Sequence, residues 1–291
     1  MTAPKPPMTL IEDSISEIAR RVVVRQLRDP TSHTAIIADG LERPEVTLAL
    51  GRYLVAVLAG LVDIDARLST ALLGTGVDAQ QELRATMSEL IGDTNTFVQE
   101  SEKRFRDTRR NAWIAEAVAH ALLVVRARYN SDLLAGPVHA LKEQHSKPSQ
   151  QGLDLVAIYS NDAEVMLAVG ESKASRLDGS GQLTESASMF RKIDEGKYGT
   201  DLRAALLNLR RVLTTDLLPQ VTEALWRDKL CYLPVVFHEK IFDISAERPT
   251  LRNLKPPIDR RRLVALRLND FHAFFDSIAD AMRAGISEVV V

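Results

Sequence analysis

The stretch GLDLVAIYSNDAEVMLAVGESKAS, residues 152–175, decides the predicted fold. It contains two aliphatic runs, LDLVAIYS and EVMLAVGESKAS, and SNDA between them has the composition of a turn. Short aliphatic runs on either side of a turn are typical of a β-hairpin, so we expect two antiparallel strands. Asp154, Glu171 and Lys173 are charged residues in this apolar setting, where an unpaired charge is costly to bury.

The hairpin geometry predicts that these three charged residues lie close together. Side chains alternate across a strand, so Glu171 and Lys173 project from one face, about 6–7 Å apart, and Ser172 points the other way. In an antiparallel hairpin, the beginning of the first strand lies beside the end of the second. Asp154 is therefore expected next to Glu171 and Lys173.

Two carboxylates and an amine at one sheet end suit a metal-dependent hydrolase. Carboxylate oxygens are the ligands that Mg²⁺ and Mn²⁺ prefer, and a bound cation would offset the cost of burying Asp154 and Glu171. Such a cation also acidifies bound water, which an ammonium group beside it can orient. The alternative interpretation is an ordinary strand end with a solvated ion pair. A second acid-x-lysine copy, Glu195 and Lys197, has no aliphatic strand before it and is interpreted as a plain surface pair.

Composition limits the class of protein. The chain has 291 residues, of which 45% are hydrophobic and 26% charged, with a formal net charge of −2. It is therefore not a polycation, and a nucleic-acid-binding surface would have to be a local patch.

The single cysteine, Cys231, excludes a disulfide framework or a thiolate zinc cluster within one chain and is expected to be a buried, inert thiol. No GxxxxGK[ST] phosphate loop is present, so we expect no ATP hydrolysis by this chain.

The expected location is the cytoplasm, in soluble form. The N-terminal sequence MTAPKPPMTL does not have the pattern of a secretory signal. The most apolar segment, residues 48–68, is interrupted by Arg52, Asp63 and Asp65 and is interpreted as too short and too charged to span a bilayer.

The order of the predicted elements indicates an α/β or α+β fold. A disordered tail is expected over residues 1–8 and a mainly helical region over 9–95. Predicted helices cover 9–29, 45–73, most of 78–128, 185–218 with an interruption near Gly196, and a closing helix capped by Asn269 or Asp270. Besides the hairpin, 229–242 and 260–268 are predicted strands, and Pro234 suggests that the first of these is bent or at a sheet edge.

The motif residues resemble those of the PD-(D/E)xK nuclease superfamily. Asp154 in GLDL and Glu171 and Lys173 in GESK match its three motif positions, although Leu153 stands where the motif proline would be. More narrowly, RNAWIAEAVAHALL, GLDLVAIY, LAVGESKAS and ESASMF resemble the HamA nuclease of Hachiman anti-phage defence. This resemblance covers roughly residues 45–245.

The resemblance implies a function for this chain, with residues 96–291 as a nuclease-like domain. It implies a restriction-endonuclease-like mixed β-sheet flanked by helices and a metal-dependent DNA endonuclease that uses Mg²⁺ or Mn²⁺. Asp154, Glu171 and Glu116 would bind the metal together with the backbone carbonyl of Ser172, and Lys173 would position or activate the attacking water. A helicase partner of the same defence system would restrain the nuclease.

Several alternatives stay open at this point. Glu116 is alternatively a surface residue paired with His120 one helical turn away. The protein is alternatively a stand-alone restriction or repair nuclease, or a non-catalytic nuclease-fold subunit that binds or scaffolds. The apolar faces of residues 9–95 either bind a partner or pack on the core. Basic clusters at 103–110, 210–211 and 260–262, and the loop DGSGQ, either contact phosphates or are ordinary surface.

Overall fold

Seven strands form one mixed sheet in the part of the chain that the computed structural model describes, which is residues 3–27, 31–74, 76, 78–145, 152–162 and 164–291. The strands are β1 (Val23–Gln26), β2 (Thr34–Asp39), β3 (Val138–Leu141), β4 (Leu155–Asn161), β5 (Glu164–Ala174), β6 (Leu230–His238) and β7 (Arg262–Arg267). Their order across the sheet is β1-β2-β7-β6-β5-β4-β3. Strands β2, β7, β6 and β5 are mutually parallel, whereas β1, β4 and β3 join by antiparallel pairing.

Helices cover both faces of this sheet. They are α1 (Pro7–Arg21), α2 (Pro44–Leu73), α3 (Ala79–Ile91), α4 (Glu100–Phe105), α5 (Asn111–Arg128), α6 (Gly179–Asp194), α7 (Gly199–Leu209), α8 (Ala224–Asp228), α9 (Pro249–Arg252) and α10 (Phe271–Gly285). A π-helical segment, Arg106–Arg110, leads into α5. One apolar core holds α1, α2, α3, α5 and α10, and the other holds α6, α7 and α8. The α/β class with flanking helices is thus confirmed.

The predicted hairpin is confirmed, and its side chains alternate as expected. Met166 and Ala168 of β5 belong to the first core, whereas Leu167 and Val169 belong to the second. Period-two alternation of this kind follows from the pleat of a strand. Because both faces are covered by helices, β5 carries apolar residues at successive positions rather than alternating with polar ones.

Strand β6 lies in the middle of the sheet, so the edge position that Pro234 suggested is wrong. All nine of its residues are buried between β5 and β7. Pro234 pairs in register with Glu171 of β5, while continuous pairing with β7 begins only at Val235. Proline has no N–H to donate, and the gap in pairing with β7 falls at this residue, which explains how a central strand accommodates it.

The N-terminal residues differ from the prediction in two ways. Residues 5–8 are not a disordered tail, because the Lys5 N–H donates to the carbonyl of Glu288 at 2.8 Å and α1 begins at Pro7. The helix predicted over 9–29 ends at Arg21, and β1 follows. Residues 9–95 are mainly helical, but their two strands extend the same sheet through the pairing of β2 with β7.

Helix α2 is a core helix rather than an isolated apolar segment. By length and composition alone it could cross a membrane, so the expectation that it is too short is wrong. However, 61% of its most apolar window is buried inside the molecule, as in the core helix of a soluble protein. Leu54 and Leu58 are buried in the first core. Gly51 lies against Ala281 of α10, so only a residue without a Cβ allows this close approach.

The closing elements agree with the sequence. Strand β7 lies within the predicted segment 260–268. Helix α10 begins after Asp270, whose side chain accepts a hydrogen bond from the Ala273 N–H at 2.9 Å. This arrangement is an ordinary aspartate N-cap, so the choice between Asn269 and Asp270 is settled in favour of Asp270.

Candidate metal centre

The hairpin brings Asp154, Glu171 and Lys173 to one end of the sheet. Leu155 pairs with Gly170, so Asp154 and Glu171 are the next residues on their two strands. The Ser172 N–H donates to Asp154 Oδ2 at 2.9 Å, and Lys173 Nζ lies 2.7 Å from Glu171 Oε1. The juxtaposition predicted from the turn and from strand alternation is therefore present.

Asp154 is in an environment that disfavours its ionised form. Burial raises the pKa of Asp154 well above its usual range, and the charges of Glu171 and Glu116 raise it further. The Ser172 N–H and the Lys173 ammonium act in the opposite direction but do not outweigh these effects. In the absence of a cation, the positive groups of the site are thus not sufficient to keep Asp154 ionised.

Lys173 stays protonated despite its partial burial. Burial opposes the charged form, but the nearby carboxylate of Glu171 and its hydrogen bond outweigh this and leave the pKa of Lys173 raised. The ammonium is therefore a fixed positive charge beside the two hairpin carboxylates. A positive charge held in this way can stabilise an anion next to it.

Glu116 comes to this site from α5 and is not a surface residue. Its side chain is buried, so the alternative of a surface pair with His120 is wrong. His120 instead bonds to the Tyr53 hydroxyl through Nδ1 and to the carbonyl of Lys142 through Nε2, at 3.1 and 3.0 Å. Glu116 Oε1 is buried and makes no hydrogen bond to any residue that the structure describes.

His145 completes a group of potential metal ligands. One ligand atom each of Glu116, His145 and Asp154 lie within 4.8 Å of one another. His145 Nδ1 is 2.9 Å from Glu116 Oε1, although the contact lacks the alignment of a hydrogen bond. Glu171 is not in this group and instead pairs with Lys173.

The position of His145 is fixed from two sides. The indole Nε1 of Trp113 donates to the backbone carbonyl of His145 at 2.8 Å, and Lys142 Nζ lies 2.7 Å from the imidazole Nε2. Lys142 also donates to the Leu153 carbonyl at 2.6 Å. Burial lowers the pKa of Lys142, while the charges of Glu116 and Asp154 act to raise it.

His145 and Lys142 were not predicted as site residues. Both lie in the polar connection that follows β3, and no local motif distinguishes them there. They reach the site because β3 pairs with β4 at the sheet edge. Only this long-range pairing, which the sequence did not reveal, would have pointed to them.

The residues present fit a divalent cation. The carboxylate oxygens suit Mg²⁺. The same oxygens together with the imidazole nitrogen suit Mn²⁺. The buried Oε1 of Glu116 contacts His145 Nδ1 but makes no aligned hydrogen bond in the described residues, so a cation would complete its bonding. A cation would also relieve the repulsion that raises the pKa of Asp154.

Two other predictions agree with the structure. Glu195 and Lys197 form an exposed ion pair of 2.7 Å, which is the plain surface pair expected. Cys231 is fully buried, and burial raises the pKa of its thiol to about 11, so the thiol is inert.

The segment DGSGQ, residues 178–182, is not a loop but the N-cap and first turn of α6, and the basic cluster at 103–110 is mostly occupied by local contacts. Asp178 accepts from the Gly181 N–H at 2.8 Å and caps α6. In the basic cluster, three cations pair with acids: Lys103 with Glu100, Arg106 with Asp107, and Arg110 with Asp276. Arg110 is entirely buried and thus belongs to the core rather than to a binding surface.

The chain was also compared with known proteins. Its sequence matches no protein-family model, and no curated protein matches it. The resemblance to the nuclease superfamily is therefore carried by the motif residues and their arrangement alone.

Proposed function

We propose that this protein is a metal-dependent nuclease of the PD-(D/E)xK type that hydrolyses phosphodiester bonds in DNA. The observation that carries the proposal is the convergence of Asp154, Glu171 and Lys173 at the end of an antiparallel hairpin, with the buried carboxylate of Glu116 opposite. An accidental surface ion pair would not explain why an unbonded carboxylate oxygen is buried next to Asp154.

Each residue has a distinct role in this proposal. Glu116 and Asp154 would hold Mg²⁺ or Mn²⁺, with Glu171 and the Ser172 carbonyl as the further oxygen ligands at the strand end. A cation bound there would lower the pKa of its water and polarise the phosphodiester. Lys173 would place its ammonium beside the attacking water and stabilise the negative charge that develops on the phosphate.

The fold supports the same proposal. The mixed sheet places the hairpin β4–β5 beside the parallel strand β6, and α5 presents Glu116 from the opposite layer. A cleft of about 690 Å³ opens beside Lys142 and His145 and is also lined by Arg211. This cleft would give a nucleic-acid strand access to the site, with Arg211 available for a phosphate contact.

The physiological setting is proposed on the resemblance to HamA. In that setting the chain is a cytoplasmic effector of anti-phage defence, and a helicase holds it inactive until foreign or damaged DNA is sensed. This predicts a helicase gene beside the gene for this chain. The purified helicase should then suppress DNA cleavage when it is added to the nuclease.

The test of catalysis is plasmid cleavage with a matched control. Wild-type protein should cut DNA in Mg²⁺ or Mn²⁺ and not in EDTA. Lys173→Ala should lower the rate by about 10²–10³-fold with little change in melting temperature, because it removes charge stabilisation and little packing. Lys197→Ala, in the second acid-x-lysine copy, should cut at the wild-type rate.

Two outcomes would contradict the proposal. Cleavage that persists in EDTA would exclude the metal, and normal cleavage by Lys173→Ala would exclude the catalytic role of that lysine. RNA and single-stranded DNA, assayed in parallel, would identify the substrate. A protein that binds DNA with the metal but cuts no nucleic acid would be the non-catalytic subunit instead.

A further inference from the structure

A second polar cleft lies at the edge of the sheet opposite the candidate metal centre. It has a volume of about 490 Å³ and is formed by β1, the end of α5, the connection after α5 and the beginning of β7. Arg262 is the first residue of β7, whereas Glu171 is near the end of β5, and the two strands run parallel with β6 between them. In register, however, Glu171 pairs with Pro234 and the next residue of β6, Val235, pairs with Val264, so Arg262 is nearly level with Glu171 and the two sites are separated across the sheet.

Two buried guanidinium groups line this cleft. Arg126 is 8% exposed and Arg262 4% exposed, and arginine is almost never buried to this degree without an acidic partner. Among the residues that the structure describes, neither makes an ion pair. Their clearest hydrogen bonds go to backbone carbonyls, those of Leu134, Leu133, Asp132 and Asp259.

Some donors in the cleft have no acceptor. Arg126 Nη1 is 3.5 Å from its two nearest acceptors, and Nη2 makes no hydrogen bond within the described part of the chain. The hydroxyl of Ser131 is buried and likewise has no hydrogen-bond partner in those residues. A buried donor that lacks an acceptor, such as the Ser131 hydroxyl, is destabilising, and Arg126 Nη2 is open to the cleft, so the pair points to an acceptor supplied by a ligand.

The described lining residues of the cleft carry a net positive charge. Among them, two guanidinium groups face one carboxylate, that of Asp132, which accepts a hydrogen bond from the backbone N–H of Gln26 at 3.0 Å. The carbonyls bonded to the arginines offset only part of the positive charge. Burial and the neighbouring charge of Arg262 lower the pKa of Arg126, as expected for two like charges held together.

We propose that this cleft binds the phosphate group of a small molecule. A planar guanidinium offers paired N–H donors that match two phosphate oxygens, and the hydroxyl of Ser131 offers one more donor. The cleft exceeds the size of phosphate alone and falls within the range of small-ligand sites, so a mononucleotide fits it. Along α5, Arg126 is ten residues beyond Glu116, or about 15 Å, so this site is separate from the metal centre.

The test is calorimetric titration of the full-length protein with inorganic phosphate, pyrophosphate and adenosine monophosphate. EDTA in the buffer prevents metal-mediated binding elsewhere, and chloride keeps the ionic strength constant. We expect one saturable site with a dissociation constant below about 1 mM and a rise in melting temperature. Equal affinities would identify the phosphate as the recognised group, whereas tighter binding of the nucleotide would show that the cleft also holds a nucleoside.

The variants separate this site from general charge effects. Arg126→Gln should weaken binding by at least about tenfold, as loss of a charged hydrogen-bonding partner does. Arg128→Gln removes the same charge from the same helix end, but Arg128 is exposed and outside the cleft, so binding should be unchanged. Ser131→Ala, which removes a hydroxyl without an internal partner, should fold normally and bind less tightly.

Three results would overturn the proposal. They are the absence of saturable binding in the wild type, equal weakening by Arg126→Gln and Arg128→Gln, and unchanged binding in Ser131→Ala. The last measurement decides the matter even when Arg126→Gln fails to fold.

Discussion

At the scale of single residues, the two lysines of the candidate metal centre are in contrasting environments. Lys173 pairs directly with Glu171, which keeps it protonated. Lys142 donates to a backbone carbonyl and contacts an imidazole, and burial disfavours its charge. Among the described residues, Asp154 has no ammonium or guanidinium in direct contact and Glu116 contacts the imidazole of His145, so a bound cation would supply the missing positive partner.

The first prediction concerns Asp154. In EDTA, Asp154→Asn should raise the free energy of unfolding, on the order of 1 kcal/mol, because it removes a carboxyl group whose ionisation is opposed by burial and by the charges of Glu171 and Glu116. Asparagine keeps an oxygen that can accept from the Ser172 N–H. Urea unfolding measures the change, and Glu195→Gln, at an exposed pair, serves as the control.

Metal should reverse this order of stability. Mg²⁺ or Mn²⁺ should stabilise the wild type and Glu195→Gln, because a ligand that binds only the native state stabilises it. Asp154→Asn should show little or no stabilisation. Equal stabilisation of all three proteins would place the metal elsewhere.

The second prediction concerns His145. His145→Gln should lower the affinity for Mn²⁺ more than the affinity for Mg²⁺, because imidazole nitrogen suits Mn²⁺ better than it suits Mg²⁺. Calorimetric titration gives both affinities, and the electron paramagnetic resonance of Mn²⁺ reports binding independently of catalysis. His139→Gln, a histidine of β3 bonded to Ser160, is the matched control. Equal losses for the two ions would mean that His145 only positions Glu116.

The sequence predicts the local part of this site and not the rest. Asp154, Glu171 and Lys173 follow from a two-residue alternation and one tight turn, which act over a few residues. Glu116 was suggested only by the resemblance, and its burial depends on how α5 packs against the sheet. The position of His145 depends on the pairing of β3 with β4, which no local sequence pattern indicated.

At the scale of elements, α5 links the sheet to both proposed sites. It carries Glu116 toward the metal centre and Arg126 toward the arginine cleft, and it is buried along most of its length. Between them, His120 joins α5 to α2 through the Tyr53 hydroxyl and to the end of β3 through the Lys142 carbonyl. Because a carbonyl only accepts, Nε2 carries the proton and Nδ1 accepts from Tyr53.

The third prediction is a pH dependence due to His120. Burial lowers its pKa from 6.5 to about 4, although the hydrogen bond to the Lys142 carbonyl opposes this change. In this interval the unfolded state binds the proton and the native state does not, so stability falls as pH falls from 6.5 to about 4. The loss attributable to this group is roughly 3 kcal/mol over the whole interval.

The measurement is urea unfolding of the wild type and His120→Gln across this pH interval. Glutamine preserves a donor and an acceptor but does not titrate, so the variant should show a shallower fall in stability as pH decreases. The difference between the two curves isolates His120 from the carboxylates that also titrate. Parallel curves would show that His120 is already protonated in the native state.

The elements also show where local rules fail. Pro234 led to the prediction of an edge strand, because proline interrupts a ladder of hydrogen bonds. The structure accommodates it in the middle of the sheet by interrupting the pairing of β6 with β7 at that residue. The hairpin, β7 and α10 were predictable from their apolar runs. Each of these runs is long, periodic or clearly bounded.

At the scale of the whole molecule, the two ends of the chain are joined in one core. Lys5 exchanges backbone hydrogen bonds with the C-terminal segment, and Arg52 of α2 binds Glu288 through two nitrogens at 2.7 and 2.9 Å. Helix α2 packs between α1 and α10, and β2 covers the edge of β7. The order of elements could not reveal this, since strands β2 and β7 are more than 200 residues apart.

The fourth prediction is that residues 96–291 do not fold alone. Deletion of residues 1–95 removes β1, β2, α1, α2 and α3 and exposes the core faces of α5 and α10. The buried side chains lost include Leu54 and Leu58, each worth about 1.5–3 kcal/mol, and many more of similar size are lost with them. This far exceeds the net stability of about 5–15 kcal/mol expected for a folded protein.

The truncated chain should therefore be insoluble when expressed alone and should be recovered in soluble form when residues 1–95 are expressed with it as a separate fragment. Solubility, circular dichroism and DNA cleavage are measured for both preparations. A truncated chain that folds and cuts DNA faster than the full chain would contradict the prediction. It would assign residues 1–95 to restraint of the nuclease, since a region whose removal leaves a folded and more active enzyme is not needed for its core.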